Sequence, residues 1–99
     1  MARVVRDAVT ARFRASLAAC GIAAGGPPAR AVGRAIAALS EAPELPGDDD
    51  RTLLLEPDER GISALVHVRR ISPHNLWLWY RLNYAGDVVI LAVENEPPE

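Results

Sequence analysis

Residues 62–94 constrain the fold of this chain more than any other stretch. Three apolar runs lie there back to back, at 62–71, 76–84 and 88–93. Each is rich in β-branched, aromatic or Leu residues, as strands are. The first two are separated by Ser72-Pro73-His74-Asn75 and the second and third by Ala85-Gly86-Asp87. Connections this short, built from turn formers, join antiparallel neighbours. The stretch therefore predicts a three-strand meander. Both Trp, both Tyr and both His fall inside it, so a recognition surface is expected on this sheet.

The upstream half reads as two helices. Val5, Val9, Phe13 and Leu17 recur every four residues, which predicts a helix from residue 4 to about 20 with Gly21 as its C-cap. Gly25-Gly26-Pro27-Pro28 is a break, and Pro28 suits the first turn of a second helix over 28–41. Its stripe is Ala29, Val32, Ile36 and Leu39, and Pro43 ends it. Arg30 and Arg34 are one turn apart on another face. An acidic loop over 42–51, a short strand over 52–55 and a turn over 56–61 lead into the meander, and 95–99 is expected to be a frayed tail. Helices followed by strands, without βα alternation, predict one α+β domain over residues 1–99. A helical hairpin at 4–41 packs on one face of a three- to four-stranded antiparallel sheet at 52–94, leaving the other face open.

Charge narrows the function classes. The net charge of −2 argues against a strongly basic nucleic-acid binder. The distribution is uneven. Before residue 41 there are Arg3, Arg6, Arg12, Arg14, Arg30 and Arg34 against Asp7, whereas 41–59 carries Glu41, Glu44, Asp48, Asp49, Asp50, Glu56, Asp58 and Glu59 against Arg51. No apolar run approaches the roughly 20 residues that span a bilayer, so no membrane is expected. Asp7 and Arg12 interrupt any leader-like segment, and a cytoplasmic protein is expected. Cys20 is the only cysteine, which excludes an internal disulfide and a Cys-based metal site. It is expected to be a small apolar residue at a helix end. Asp48-Asp49-Asp50 reads as a solvated loop tip, because hard-cation loops alternate their carboxylates. No phosphate-binding Gly loop, HExxH or nucleophile elbow is present, and no cofactor or metal is expected.

Strand phasing selects candidate site residues. In the middle strand Leu76, Leu78, Tyr80, Leu82 and Tyr84 point one way, and Trp77, Trp79, Arg81 and Asn83 the other. The Leu-bearing set is expected to face the helices. In the preceding strand the more apolar set, Ile62, Ala64, Val66, Val68 and Arg70, is expected on the core side, with His67 and Arg69 on the open side. The open face would then carry His67, Arg69, Trp77, Trp79 and Arg81. Aromatic rings beside guanidinium groups suit base stacking and phosphate contact, and suit a protein interface equally. The structural alternative is that the acidic loop or the tail covers the Trp residues, with Arg69 and Arg81 paired to its carboxylates. His67 alone is more typical of a structural strand histidine, and His74 of a solvated turn.

Three stretches resemble the RelE/ParE superfamily of bacterial toxin–antitoxin proteins. They are residues 32–47, a helix with an "Ile…Leu…Pro…Gly" exit; the Arg-bearing strand 66–71; and the hairpin Tyr80-Arg81-Leu82-Asn83-Tyr84, Gly86-Asp87, then 88–93. The resemblance implies a helical hairpin on an antiparallel sheet and a toxin neutralised by a cognate antitoxin. It implies action on RNA at the ribosome, as an endoribonuclease, or on another essential target such as gyrase. In the RNA-cleaving branch a 2′-hydroxyl attacks the adjacent phosphate. Arg69 or Arg81 would stabilise the developing charge, Tyr80 or His67 would move a proton, and Arg70 and Tyr84 are carried over as binding residues, while Trp77 and Trp79 are binding candidates from the strand phasing alone. The chain departs from the pattern in three ways: a helix where the family has an opening strand, an acidic balance, and no basic group after the last strand. The core-side phase of Tyr80 also conflicts with a catalytic role. The alternative expectation is a non-catalytic interaction module using the Trp/Arg face, or a homodimer that buries this face on itself.

Overall fold

The computed structural model describes residues 5–6, 11–55, 64–72, 74–83 and 86–98. The elements are β1 (Val5–Arg6), α1 (Ala11–Ala19), α2 (Pro27–Glu41), β2 (Arg51–Leu55), β3 (Ala64–Ile71), β4 (Leu76–Leu82) and β5 (Val88–Glu94). The class is α+β. β2 to β5 form an antiparallel meander, and β1 runs parallel to β5, giving the sheet order β1-β5-β4-β3-β2. The turn expected over 56–61, together with Ile62, Ser63, Pro73, Tyr84, Ala85 and Glu99, lies outside the described residues.

The expected helix over 4–20 is corrected at its start. Val5 and Arg6 are a strand paired to Val88 and Val89, and the helix begins at Ala11. Val5 still packs on the core. Its place in a four-residue repeat with Phe13 and Leu17 was coincidental: a strand residue and two helix residues meet the same core by different routes. The C-cap is where the sequence puts it. Gly21 takes φ 70°, its N–H bonds the Ala18 carbonyl at 3.0 Å, and the Ile22 N–H bonds the Leu17 carbonyl at 3.0 Å. These two bonds make a Schellman ending, whose left-handed position favours glycine. α2 starts on Pro27 and Pro28, where missing N–H groups cost nothing, and lays Ala31, Val32 and Leu39 on the core.

The helices cover one face of the sheet. Phe13, Val32 and Leu39 meet Leu76, Leu78 and Val93 in one apolar cluster. β4 alternates strictly between buried and half-buried residues from Leu76 to Tyr80. β5 pairs Ile90 with Tyr80 and Ala92 with Trp79, so Leu91 is an extra, bulged residue. The bulge lets Val88, Ile90 and Val93 all join the core.

α1 also closes the outer edge of β5 beyond the reach of β1. The Val93 N–H donates to Ser16 Oγ at 3.0 Å, and Ser16 donates to the Phe13 carbonyl at 2.7 Å. Cys20 Sγ donates to the Val93 carbonyl at 3.3 Å. Burial, helped by the Glu94 carboxylate, pushes the Cys20 thiol up, away from the reactive thiolate. No helix among the described residues is long and apolar enough to cross a membrane.

Candidate functional site

Residues directly opposed in an antiparallel ladder project from the same face. His67 opposes Tyr80, Arg69 opposes Leu78 and Ile71 opposes Leu76. His67 and Arg69 therefore lie on the helix side with the core residues, and Val68 and Arg70 lie with Trp79 and Trp77 on the other. This reverses the phase expected for β3. The reason is that β3 is buried on both faces: Val66 and Val68, although on the open side, are only 1% and 2% exposed. A strand covered on both sides loses the apolar/polar alternation that reveals its phase.

Arg69, Tyr80 and His67 thereby come together around Asp50. Asp50 ends the acidic loop immediately before β2, and one further step of the β2–β3 register sets it opposite Arg69. Its side chain is 0% exposed. Arg69 donates to it twice, Nε to Oδ1 at 2.7 Å and Nη2 to Oδ2 at 2.9 Å, the bidentate geometry that only Arg provides. The Tyr80 hydroxyl also donates to Oδ2. The Gly47 N–H adds a bond of 2.9 Å to the same oxygen, and the Asp50 N–H returns one to the Gly47 carbonyl at 3.0 Å. A Cβ at position 47 would stand 2.9 Å from Arg69 Nη2, so a side chain there would push the guanidinium tip away from its place on Asp50. Beside this cluster His67 stacks obliquely on Tyr80, with ring centroids 5.3 Å apart, and shares a hydrogen bond of 2.9 Å through Nδ1 with Thr52 Oγ1.

Burial pushes the Asp50 carboxyl up, but hydrogen bonds from Arg69, Tyr80 and Gly47 outweigh it and hold the group below the usual carboxylate range. Burial lowers His67, against the pull of the Asp50 charge. Both shifts make stability fall on acidification. An imidazole lowered by folding gives stability that is complete above its unfolded value of about 6.5 and declines below it, because the unfolded chain takes the proton first. A lowered carboxyl gives stability that is complete above about 3.9 and is lost as pH falls through the folded value. Urea midpoints measured across this range are expected to show two declines. His67→Gln should flatten the upper one and leave the lower; an unchanged upper decline would assign it elsewhere.

The open face carries the remaining candidates. Arg70 opposes Trp77 and places its guanidinium carbon 5.9 Å from the ring centroid, while Nη2 reaches Asn75 Oδ1 at 3.3 Å. Trp79 lies between Val68 and Ala92 in the ladder. Its indole N–H is buried and has no hydrogen-bond partner among the described residues. Arg81 is half-buried opposite Val89 and makes no ion pair with a described residue. Arg51, opposed to Val68, donates to the Pro98 carbonyl at 2.9 Å and ties the C-terminal tail to the far edge strand. Of the alternative of covered Trp residues and paired Arg residues, one particular is present, the pairing of Arg69 with a carboxylate of the acidic loop, and it lies on the helix side of the sheet; Arg81 makes no ion pair with a described residue. A cavity of about 170 Å³ opens between Arg12, Trp79, Leu91, Ala92 and Glu94. Tyr84 lies outside the described residues.

Asp50 is the residue that sequence reasoning missed. Its signal was present: it is the last acid before a strand whose antiparallel pairing with β3 points it at Arg69. No group of His, Cys, Asp or Glu that could hold a metal occurs among the described residues. No protein-family model matches the chain. No curated protein and no solved structure matches it either.

Proposed function

We propose that this chain is a RelE/ParE-like toxin that acts by binding a macromolecular target through its Trp/Arg sheet face and does not cut RNA. The observation that carries this reading is the clamp on Asp50. Stabilising a phosphorane-like charge needs a guanidinium that faces the substrate, and moving a proton needs a hydroxyl or imidazole that reaches it. Arg69 instead commits Nε and Nη2 to Asp50, Tyr80 donates its proton to the same carboxylate, and His67 is buried with Nδ1 on Thr52. Three of the four residues that the resemblance assigns to cleavage are therefore engaged inside the protein, and Arg81 alone faces outward.

The toxin reading draws support from β1, which supplies the opening strand that the resemblance calls for. The binding reading draws support from the other sheet face, where Trp77, Trp79, Arg70 and Arg81 present the residue types that dominate protein hot spots. Trp79 carries a buried N–H there with no partner among the described residues. A cognate antitoxin neutralises the protein by covering this face. The acidic balance favours a second reading, an interaction module of the same fold with no toxicity.

Induced expression separates the readings. Wild type is expected to arrest growth, and Trp77→Ala/Arg81→Ala to relieve the arrest at equal soluble protein. Normal growth with abundant soluble wild type would eliminate the toxin reading and leave the interaction module.

A further inference from the structure

The two edges of the sheet are treated differently. At the β5 edge, β1 pairs with Val88 and Val89, and Ser16 and Cys20 take the N–H and carbonyl of Val93. At the β2 edge nothing comparable is present among the described residues: the strand ladder of β2 is with β3, and beyond it the Arg51 side chain bonds the Pro98 carbonyl. An unguarded edge strand offers alternate N–H and carbonyl groups to another chain, and proteins normally blunt it with Pro, Lys, a bulge or a cover. Among the described residues β2, Arg51-Thr52-Leu53-Leu54-Leu55, shows none of these, and its single cation is already bonded to the Pro98 carbonyl.

The same edge is apolar where it is most exposed. Leu54 and Leu65 oppose each other across β2 and β3 and are 69% and 59% exposed. They are the exposed large hydrophobics among the described residues. They project on the helix side of the sheet, in the next outward row from Thr52 and His67.

We propose that the outer edge of β2 is a docking site for a basic, strand-forming segment of a partner protein, which extends the sheet and lays apolar side chains on Leu54 and Leu65. Charge selects this occupant. The strand is flanked by the exposed Asp48 and Asp49 on one side, and in sequence by Glu56, Asp58 and Glu59 on the other. A second copy pairing antiparallel through β2 would set each acidic flank against the acidic flank of its mate, which opposes association. A segment with Arg or Lys at both ends meets opposite charge at both ends, while the ladder supplies main-chain bonds and alternate side chains supply selectivity. The proposal rests on the sheet edge alone and stands whether or not the chain is a toxin.

The test uses the full chain and labelled synthetic peptides of about ten residues, long enough to cover one strand. One alternates Val and Thr between paired Arg ends, a second replaces each Arg with Glu, and a third carries a central Pro in the Arg-ended sequence. Fluorescence anisotropy reads binding, and amide exchange at Thr52, Leu53 and Leu54 reads its location. The expected result is binding of the first peptide only, weakened by salt, with slowed exchange in β2. Leu54→Ser/Leu65→Ser, which alters exposed positions and leaves the core intact, should weaken binding about tenfold. Equal binding of the first two peptides, binding without protection of β2, or failure of the first to bind would overturn the proposal. So would a light-scattering mass twice the 10.7 kDa chain with β2 protected, which would make a second copy the occupant.

Discussion

Asp50→Ala is expected to destabilise the protein by about 3–5 kcal/mol, the cost of breaking a buried pair from one side. The substitution removes the common acceptor of Arg69, Tyr80 and the Gly47 N–H, and leaves one cation and two neutral donors facing each other. Small domains have roughly 5–15 kcal/mol in total, so the variant should sit near the edge of folding. Asp50→Asn keeps an acceptor but removes the charge, and a loss of about half that size is expected. Asp48→Ala, two residues away and exposed, should change stability by no more than about 0.5 kcal/mol. Urea denaturation of the three variants checks the ranking. A loss below about 1 kcal/mol for Asp50→Ala, the size of a surface pair, would mean that the carboxylate is hydrated and the clamp open.

Leu78→Ala carries the second large effect, about 2–5 kcal/mol. Leu78 is wholly buried in the central strand β4 and opposes Arg69 on one side and Val93 on the other. Its removal leaves a void under the helices that neighbouring strands, fixed by their ladders, refill poorly. Trp77→Ala removes a larger side chain from the other face, yet that ring is half-buried and should cost less than the leucine. Denaturant midpoints of the two variants, measured at constant m-value, check the contrast. Equal losses would mean that the Trp face is a second core rather than a surface.

How much of this was legible follows from what each residue meets. β4 was readable because one of its faces meets helices and the other does not, so Leu and Trp alternate. The Schellman ending at Gly21 was readable because a left-handed residue after a helix has few chemical solutions. The phase of β3 was not readable, since Val66 and Val68 are buried on the open side as thoroughly as the residues facing the helices. β1 was too short to show an alternation, and Val5 matched the helical repeat by position alone. Asp50 looked like its neighbours Asp48 and Asp49 because composition does not record register; only the β2–β3 ladder separates the buried carboxylate from the exposed ones. The site thus changed from an open-face constellation of five residues to an internal clamp on one face and a Trp/Arg surface on the other.

Mapping RNA 5′ ends in cells arrested by the wild-type protein tests most directly whether it binds or cuts. With Arg69, Tyr80 and His67 engaged inside the fold, transcripts are predicted to keep the 5′ ends found in uninduced cells while growth stops. New 5′ ends within translated messages, appearing with wild type and absent with Arg81→Ala, would contradict the account and place catalysis on the sheet after all.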